Sequence, residues 1–551
     1  MYPSVTPSFL IVSTLLLAVL NLVTPFISNS DNNTRNSLLI TISSFFFVNI
    51  LIIDWLFLKG VRANLSINIF SNFAIGLHLE ALSLIFLTLL SFLWICALIY
   101  TTKYLAINNI DNSSRFLFFI NLSVLSGGLV ALSSNLFTMF IFYEILTLST
   151  APLIGHSGGD KVMAGVYKYL KILMISGILL FLPALIIIYA KVGHGDFTSQ
   201  GFIEHYFSKN QTIILLLMFI FGISKAALYP LHQWLPAAMV AHYPVSALLH
   251  AVVVVKTGLF CIYKILIYIF GLKYLQSIFA EFNWVLFLPI ITIFYSSFKA
   301  LTSDNIKKIL AYSTINQLGI ALLSSFMFTS KSIGAAILHL SSHSFTKICL
   351  FYGMGSIYSL KKTNQLSDLI NAGKEMPKTS FMVFIASLSL IGIPPFGGFI
   401  SKFYIMLAAA EQNQILVMGV LALSTLFSAL YLAKLLIFIY KPRFYEGNLS
   451  QTESQWLSSQ LSSINCHSRK SGNLDTYLHR DDIIVKDVLD PRLRGDDIKD
   501  CRDDIKDGED MKISENKLPH SMMVSLIICL CCIILFYFIQ IFIKKFFIFI
   551  W

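Results

Sequence analysis

The sequence predicts an all-α polytopic membrane protein of about 14 transmembrane helices, with two inverted five-helix repeats and broken helices 7 and 12. Three observations carry that fold class. Of 551 residues, 56% are hydrophobic and 13% charged, against about 25% charged in soluble domains. The mean hydropathy is +0.74. Apolar runs of about 17–25 residues, each long enough to cross roughly 30 Å of hydrocarbon, recur along most of the chain.

In order, the runs lie near 8–27, 38–58, 74–100, 115–133, 135–154, 165–190, 212–234, 240–270, 283–301, 306–328, 332–358, 379–409, 414–440 and 520–546. The first, from Phe9 to Ile27, lacks a basic n-region and a small-residue cleavage site, so it reads as a span rather than a leader. The seventh run carries Lys225 followed by Pro230 and Pro236. The twelfth reads IGIPPFGGFISKF, with Pro394 and Pro395 ahead of Lys402. Proline removes a helix donor and clashes with the preceding turn, so both spans are expected to break. Broken spans at corresponding places point to an inverted repeat with ion sites at the breaks. The predicted layout is helices 1–3 in 1–114, a first repeat of helices 4–8 in 115–270, a second of helices 9–13 in 283–441, and helix 14 in 520–551.

Between helices 13 and 14, residues 446–517 form a polar insert with 16 acidic and 11 basic residues. It lacks apolar periodicity and reads as cytoplasmic and largely disordered. Its stretch HSRKSGNLDTYLHRDDIIVKDVLDPRLRGDD resembles peptides encoded by palindromic DNA repeats of some intracellular bacteria. Its Asp-Asp pairs lack the pattern of a calcium loop. The rest of the chain keeps 13 acidic and 29 basic residues. That excess sits in loops, which suits a surface facing anionic lipid and calls for no nucleic acid. The odd-numbered loops hold the denser set, including Lys103, Lys161, Lys307, Lys361 and Lys374. The positive-inside bias places them in the cytoplasm and both termini outside. The eight cysteines show no metal spacing.

Charges inside spans are costly and tend to be functional. Glu144 lies in FIFYEILTL, and Lys225 is its natural counter-charge. A carboxylate that approaches or leaves a buried lysine changes whether that lysine holds its proton. Lys256 follows HAVVVV near the middle of its run, too deep to reach water by snorkelling. His232 and His250 are candidate relays or packing residues. His339, His343 and Lys347 recur every four residues, giving one polar helix face. Lys402 would end the row. In the loop TSDNIKKILAYSTINQLG, Asp304, Lys307 and Lys308 read as a solvated turn. No catalytic, cofactor-binding or metal-ligating set is expected, and no cofactor.

KxxxYPLHxWLPxAM, PVSALLHAVVVVKTG, DNIKKILAYSTINQLG, HxxxHxxxK and GIPPFGGFISKF resemble the antiporter-like subunits shared by respiratory complex I and Mrp-type cation/proton antiporters. The resemblance covers roughly Leu79 to Lys441, and PVSALLHAVVVVKTGLF looks most like the Mrp D-type subunit. It implies a chain of buried charges at the bilayer midplane. Glu144, Lys225, Lys256, His343 with His339 nearby, and Lys402 fall on its motif positions. Ala237 stands where an acidic residue is usual, and Tyr243 where Thr is usual. Lys402 leans away from the complex I M-type subunit, which tends to have glutamate there; the lack of a long lateral helix leans away from the L-type.

The expected function is proton translocation in a bacterial inner membrane, in exchange for Na+ or another monovalent cation, beside other membrane subunits. The alternatives are a pumping subunit of NADH:quinone oxidoreductase and a structural subunit that does not transport.

Overall fold

Helix occupies each of the predicted runs in this computed structural model, which describes residues 8–27, 32–70, 73–442 and 518–550. The helices are α1 (Ser8–Ile27), α2 (Asn32–Leu58), α3 (Ala81–Ile107), α4 (Ser113–Leu132), α5 (Leu136–Ile154), α6 (Asp160–Val192), α7 (Lys209–Gly222) and α8 (Tyr243–Phe270). They continue as α9 (Trp284–Thr302), α10 (Ile306–Ser325), α11 (Ser330–Lys361), α12 (Pro377–Ile391), α13 (Gly397–Glu411), α14 (Ile415–Tyr440), α15 (His520–Ile534) and α16 (Phe536–Ile550). Among the described residues, nine helices are long and apolar enough to cross a membrane, or up to ten if α15 and α16 form one bent span. The chain is therefore a multi-pass integral membrane protein. Helices α7 and α12 are apolar but shorter, because each stops at a break.

Burial separates core from rim. The apolar window of α8 is 100% buried, whereas that of α2 is 28% buried. Helix α8 is therefore enclosed by protein, and α2 presents most of its surface outward. Contacts divide the chain into a main body, Met1–Tyr440 with Glu515–Trp551, and a second unit, Lys441–Ser514. The insert expected over 446–517 lies outside the described residues.

One segment departs from the helical expectation. Residues Asn64–Phe70 and Phe73–His78 pair as antiparallel strands β1 and β2. The third span accordingly starts at Ala81, not near residue 74. A window that only counts apolar residues merges FAIGLH with the helix behind it, since strand and helix hydrophobics score alike.

The hairpin docks on the corner between α4 and α5. Ser134 donates its backbone N–H to Gly76 O at 2.9 Å, and Gly76 N donates to Thr138 Oγ1 at 2.9 Å. Asn135 is the N-cap of α5: its Oδ1 accepts from Thr138 N at 2.8 Å, and its Nδ2 donates to Ala74 O at 3.0 Å. The substitution Asn135→Ala removes both bonds. It is expected to lower stability by about 1–2 kcal/mol. A thermal unfolding midpoint unchanged from wild type would show that the cap does not hold this corner.

Loop contacts sort into two faces. On one, Asn108 meets Lys362, His156 meets Asp111, Ser157 meets His242, and Lys307 meets Ala241. On the other, β2 meets the α4–α5 corner, Leu136 N reaches Gly195 O, and Lys331 pairs with Glu411. A capping arrangement recurs once at each face. Lys264 Nζ donates to Ala131 O and Ser133 O at the end of α4. Lys434 Nζ donates to Leu301 O and Ser303 O at the end of α9. Lys264 and Lys434, Ala131 and Leu301, and Ser133 and Ser303 each stand 170 positions apart. In both places an ammonium satisfies carbonyls that the last helical turn leaves open.

Candidate functional site

The first break buries a lysine in the protein interior. Helix α7 ends at Gly222, and a 3-10 turn, Ser224–Ala226, carries Lys225. The Tyr229–Pro230 bond is cis, and Pro236 lies in the short helix Trp234–Ala237. Trp234 Nε1 donates to Ser224 O at 2.9 Å and holds the turn. Lys225 is 0% exposed. Its Nζ donates to Tyr143 O at 2.9 Å and to Thr147 Oγ1, and lies 3.2 Å from the centroid of the Tyr143 ring.

Glu144, one residue along α5 from Tyr143, is half-buried. Its Oε2 accepts from Thr147 Oγ1 at 3.3 Å, and its buried Oε1 meets no protein donor. Among the described residues no ion pair joins Glu144 directly to Lys225. The Thr147 hydroxyl stands between them, accepting from the lysine and facing the carboxylate. Gly177 makes room for that carboxylate. A Cβ at Gly177 would lie 2.0 Å from Glu144 Oε1. The glycine opens a π-type turn, Gly177–Phe181, inside α6. Sequence reading found Glu144 and Lys225 but not Tyr143 or Thr147. The spacing of Thr147, three residues after Glu144 on the same helix face, was the available signal.

The row continues through α8 and α11. His250 sits in a second π-type turn, Leu248–Val252, a distortion that often marks functional sites. Neither of its ring nitrogens has a hydrogen-bond partner, and the ring lies 4.9 Å from that of Phe351. Lys256 is 0% exposed and points at α11, with no path to water by snorkelling. Its Nζ reaches Leu340 O at 3.4 Å and contacts His343 Nδ1. The rings of His343 and His339 are 6.5 Å apart, and Nε2 of each lacks a protein partner. His339 Nδ1 meets Ser401 Oγ at 3.0 Å, which brings the row to α13.

Lys402 follows. Its Nζ donates to Leu390 O at 3.2 Å and Ile391 O at 2.8 Å, and reaches Thr425 Oγ1 at 3.4 Å. Those carbonyls end α12 just before the cis Pro394–Pro395 bond. The second break thus exposes helix-end carbonyls, and Lys402 is the cation that meets them.

Two predicted members lie off this row. Lys347 Nζ turns to α10 and donates to Leu310 O at 3.0 Å and to Ser313 Oγ. His232 sits in an aromatic box, stacked on Tyr229 at 5.5 Å and edge-on to Tyr295 at 4.8 Å. The solvated turn expected at Asp304, Lys307 and Lys308 needs correction at Lys307. Asp304 and Lys308 are exposed, but Lys307 is 7% exposed. It donates to Ala241 O and lies 4.6 Å from the Tyr243 ring centroid. Helix α10 has already begun at Ile306, and the turn aims Lys307 inward.

One buried ion pair went unread. Lys264 Nζ lies 3.3 Å from Glu80 Oε1, with the lysine side chain fully buried. A lysine inside the apolar run CIYKILIYIF was the signal. Among the described residues, no group of three or more His, Cys, Asp or Glu is placed to hold a metal ion. What the arrangement offers is a line of titratable groups set in apolar packing.

Comparison with known proteins adds the following. The family described as NADH:quinone oxidoreductase/Mrp antiporter, TM, matches residues 133–428. Proteins named putative antiporter subunit mnhA2 from Staphylococcus aureus are similar to this chain. One is 30% identical over 387 residues, covering 66% of this chain and 47% of the relative. That of another strain is 31% identical over 362 residues, covering 62% and 44%. The chain thus spans about half the length of the curated relatives it matches. Among solved structures, a chain of the Mrp complex from Dietzia sp. superposes with a TM-score of 0.74 at 18% identity, covering 99% of this chain and 97% of that one. A chain of the membrane-bound sulfane sulfur reductase, an archaeal respiratory membrane complex, gives 0.67 at 21% identity, covering 84% and 94%. These two likenesses establish the fold.

Proposed function

The chain belongs to the NADH:quinone oxidoreductase/Mrp antiporter transmembrane family, and from that premise we propose that it is a proton-translocating subunit of a monovalent cation/proton antiporter of Mrp type. The observation that carries this reading is the row of buried cations Lys225, Lys256 and Lys402, bridged in part by His343 and His339. Buried lysines of this kind are expensive to insert, and proton or ion handling is the use that explains them best.

In the proposed cycle Glu144 modulates Lys225 through Thr147. A proton passes by Lys256 and the His343/His339 face and leaves near Lys402. His250, with two free ring nitrogens, is a candidate relay on the Lys347 side of Lys256, away from the Lys225 turn, which packs at Gly258. His232 and Lys347 hold flanking positions. The coupled ion is Na+ or another monovalent cation, and the partners are further membrane subunits and protons. The curated relatives carry antiporter names, which supports the antiport reading.

The repeated lysine caps at opposite faces, 170 positions apart, support two inverted units over 115–270 and 283–441. Fourteen spans, with helices 7 and 12 broken, fit that arrangement. The clustering of residues 157–162, 241–242 and 305–308 on one face supports placing the odd-numbered loops in the cytoplasm of a bacterial inner membrane, and both termini outside.

The test is proton flux in everted vesicles from cells expressing this chain with its neighbouring genes. Addition of Na+ is expected to drive proton movement. Pumping driven by NADH, with no response to Na+, would instead assign the chain to a respiratory oxidoreductase. Absence of both would overturn the transport reading.

A further inference from the structure

The charge row does not account for a cavity of about 500 Å³ at the face that carries residues 157–162, 241–242 and 305–308. Lys161, Lys307 and Lys308 line it, together with His242 and the side chains of Asn305 and Asn364. No Asp or Glu lines it among the described residues.

Three helices also begin here. Helix α6 starts at Asp160, α8 at Tyr243 and α10 at Ile306, so each directs its N-terminal end at this space. A helix N-terminus carries roughly half a positive charge; here Asp160 opens α6, Pro244 follows Tyr243 in α8, and at α10 Ile306 N and Lys308 N are already bonded to Asn364 O and Asn305 Oδ1, so the lysines supply most of the free donors. Fields from three such ends and three ammonium groups add. The ring of His242 at this cavity has its pKa pushed down to about 4 by burial first, then by Lys307 and His156.

We propose that this cavity binds a phosphate group, either the phosphodiester of an anionic phospholipid or a free phosphate. Lys161 and Lys308 are exposed at its rim, where they can close on phosphate oxygens. Lys307 is fixed at its inner wall by Ala241 O. One wall is Val162 of α6, and the next residue, Met163, is 53% exposed on the outer surface. A lipid headgroup seated here therefore has an apolar helix beside it for its acyl chains. Basic pockets between membrane helices are known to take such headgroups.

The proposal is tested on the full chain, purified with its neighbouring subunits, by native mass spectrometry. Phosphatidylglycerol and phosphatidylcholine of identical acyl chains are titrated separately. In a parallel arm, inorganic phosphate is added and thermal unfolding is followed. The double variant Lys161→Gln/Lys308→Gln changes only rim residues. At roughly fivefold per lysine, it should weaken phosphatidylglycerol binding about 25-fold and leave phosphatidylcholine unchanged. Protection by inorganic phosphate that the double variant loses, without preference between the lipids, would assign the site to a free phosphate. Lys331→Gln, at the other face, serves as the control. Equal binding of both lipids with no phosphate effect would overturn the proposal. So would equal losses in the Lys331 and double variants.

Discussion

Replacing Lys225 with Met is expected to abolish cation-driven proton flux, and replacing it with Arg is expected to do the same. Both variants are expected to lower flux by about 100-fold or more, the scale of a lost proton-transfer group. The pair separates charge from proton transfer. Methionine fills the space of the lysine stem and removes a buried charge, so the protein should remain in the membrane at normal levels. Arginine keeps a charge that can meet Tyr143 O and Thr147, but a guanidinium does not give up its proton. Flux is read by quenching of a pH-sensitive dye in everted vesicles, with the amount of chain measured beside it. An arginine variant that still transports would show that Lys225 is a fixed charge and not a carrier.

The second large effect is expected from Gly258→Ala, which touches no charge. Gly258 of α8 lies against the Lys225 turn. A Cβ there would stand 2.5 Å from Ala226 N and 2.6 Å from Lys225 C. Both are backbone atoms and cannot rotate away, so the turn must move off α8. Such overpacking costs about 1–3 kcal/mol. A displacement near 1 Å can cost about 100-fold in a geometry-dependent step. Flux should therefore fall steeply with every ionisable residue still present. Gly419→Ala is the matched control, because nothing lies within 4 Å of a Cβ there. Equal flux in both variants would detach the Lys225 turn from its packing on α8.

Most of this architecture was legible because a bilayer forces long apolar runs and punishes buried charge. The helices, the two breaks, and Glu144, Lys225, Lys256, His339, His343 and Lys402 could be named from the chain alone. Short-range chemistry was harder. Thr147 matters through one hydroxyl placed between Glu144 and Lys225, and its type and position resemble those of many span threonines. Gly177 matters only because α6 meets α5 there. Lys307 read as a loop residue because four residues in its neighbourhood are polar, and a single turn of helix decides which way it points. The β1–β2 hairpin was hidden because its alternation is brief and abuts the apolar start of α3.

The contact between Lys256 and His343 has a consequence for timing. An ammonium can only donate, so while Lys256 is charged, Nδ1 of His343 must be the accepting nitrogen and the ring proton sits on Nε2. A proton handed to Nδ1 makes the ring cationic, and its departure from Nε2 leaves the ring with Nδ1 protonated. In that tautomer His343 cannot accept from Lys256 again. The ring must turn, or exchange its protons, before a second proton can follow. His339 starts from the other tautomer: Ser401 Oγ donates to Gly398 O and so accepts from Nδ1, which leaves Nε2 as the nitrogen that can take a proton, and this ring too must reset after passing one on. In the proposed route, each passage therefore leaves behind it imidazoles that must be reset before the next proton can follow.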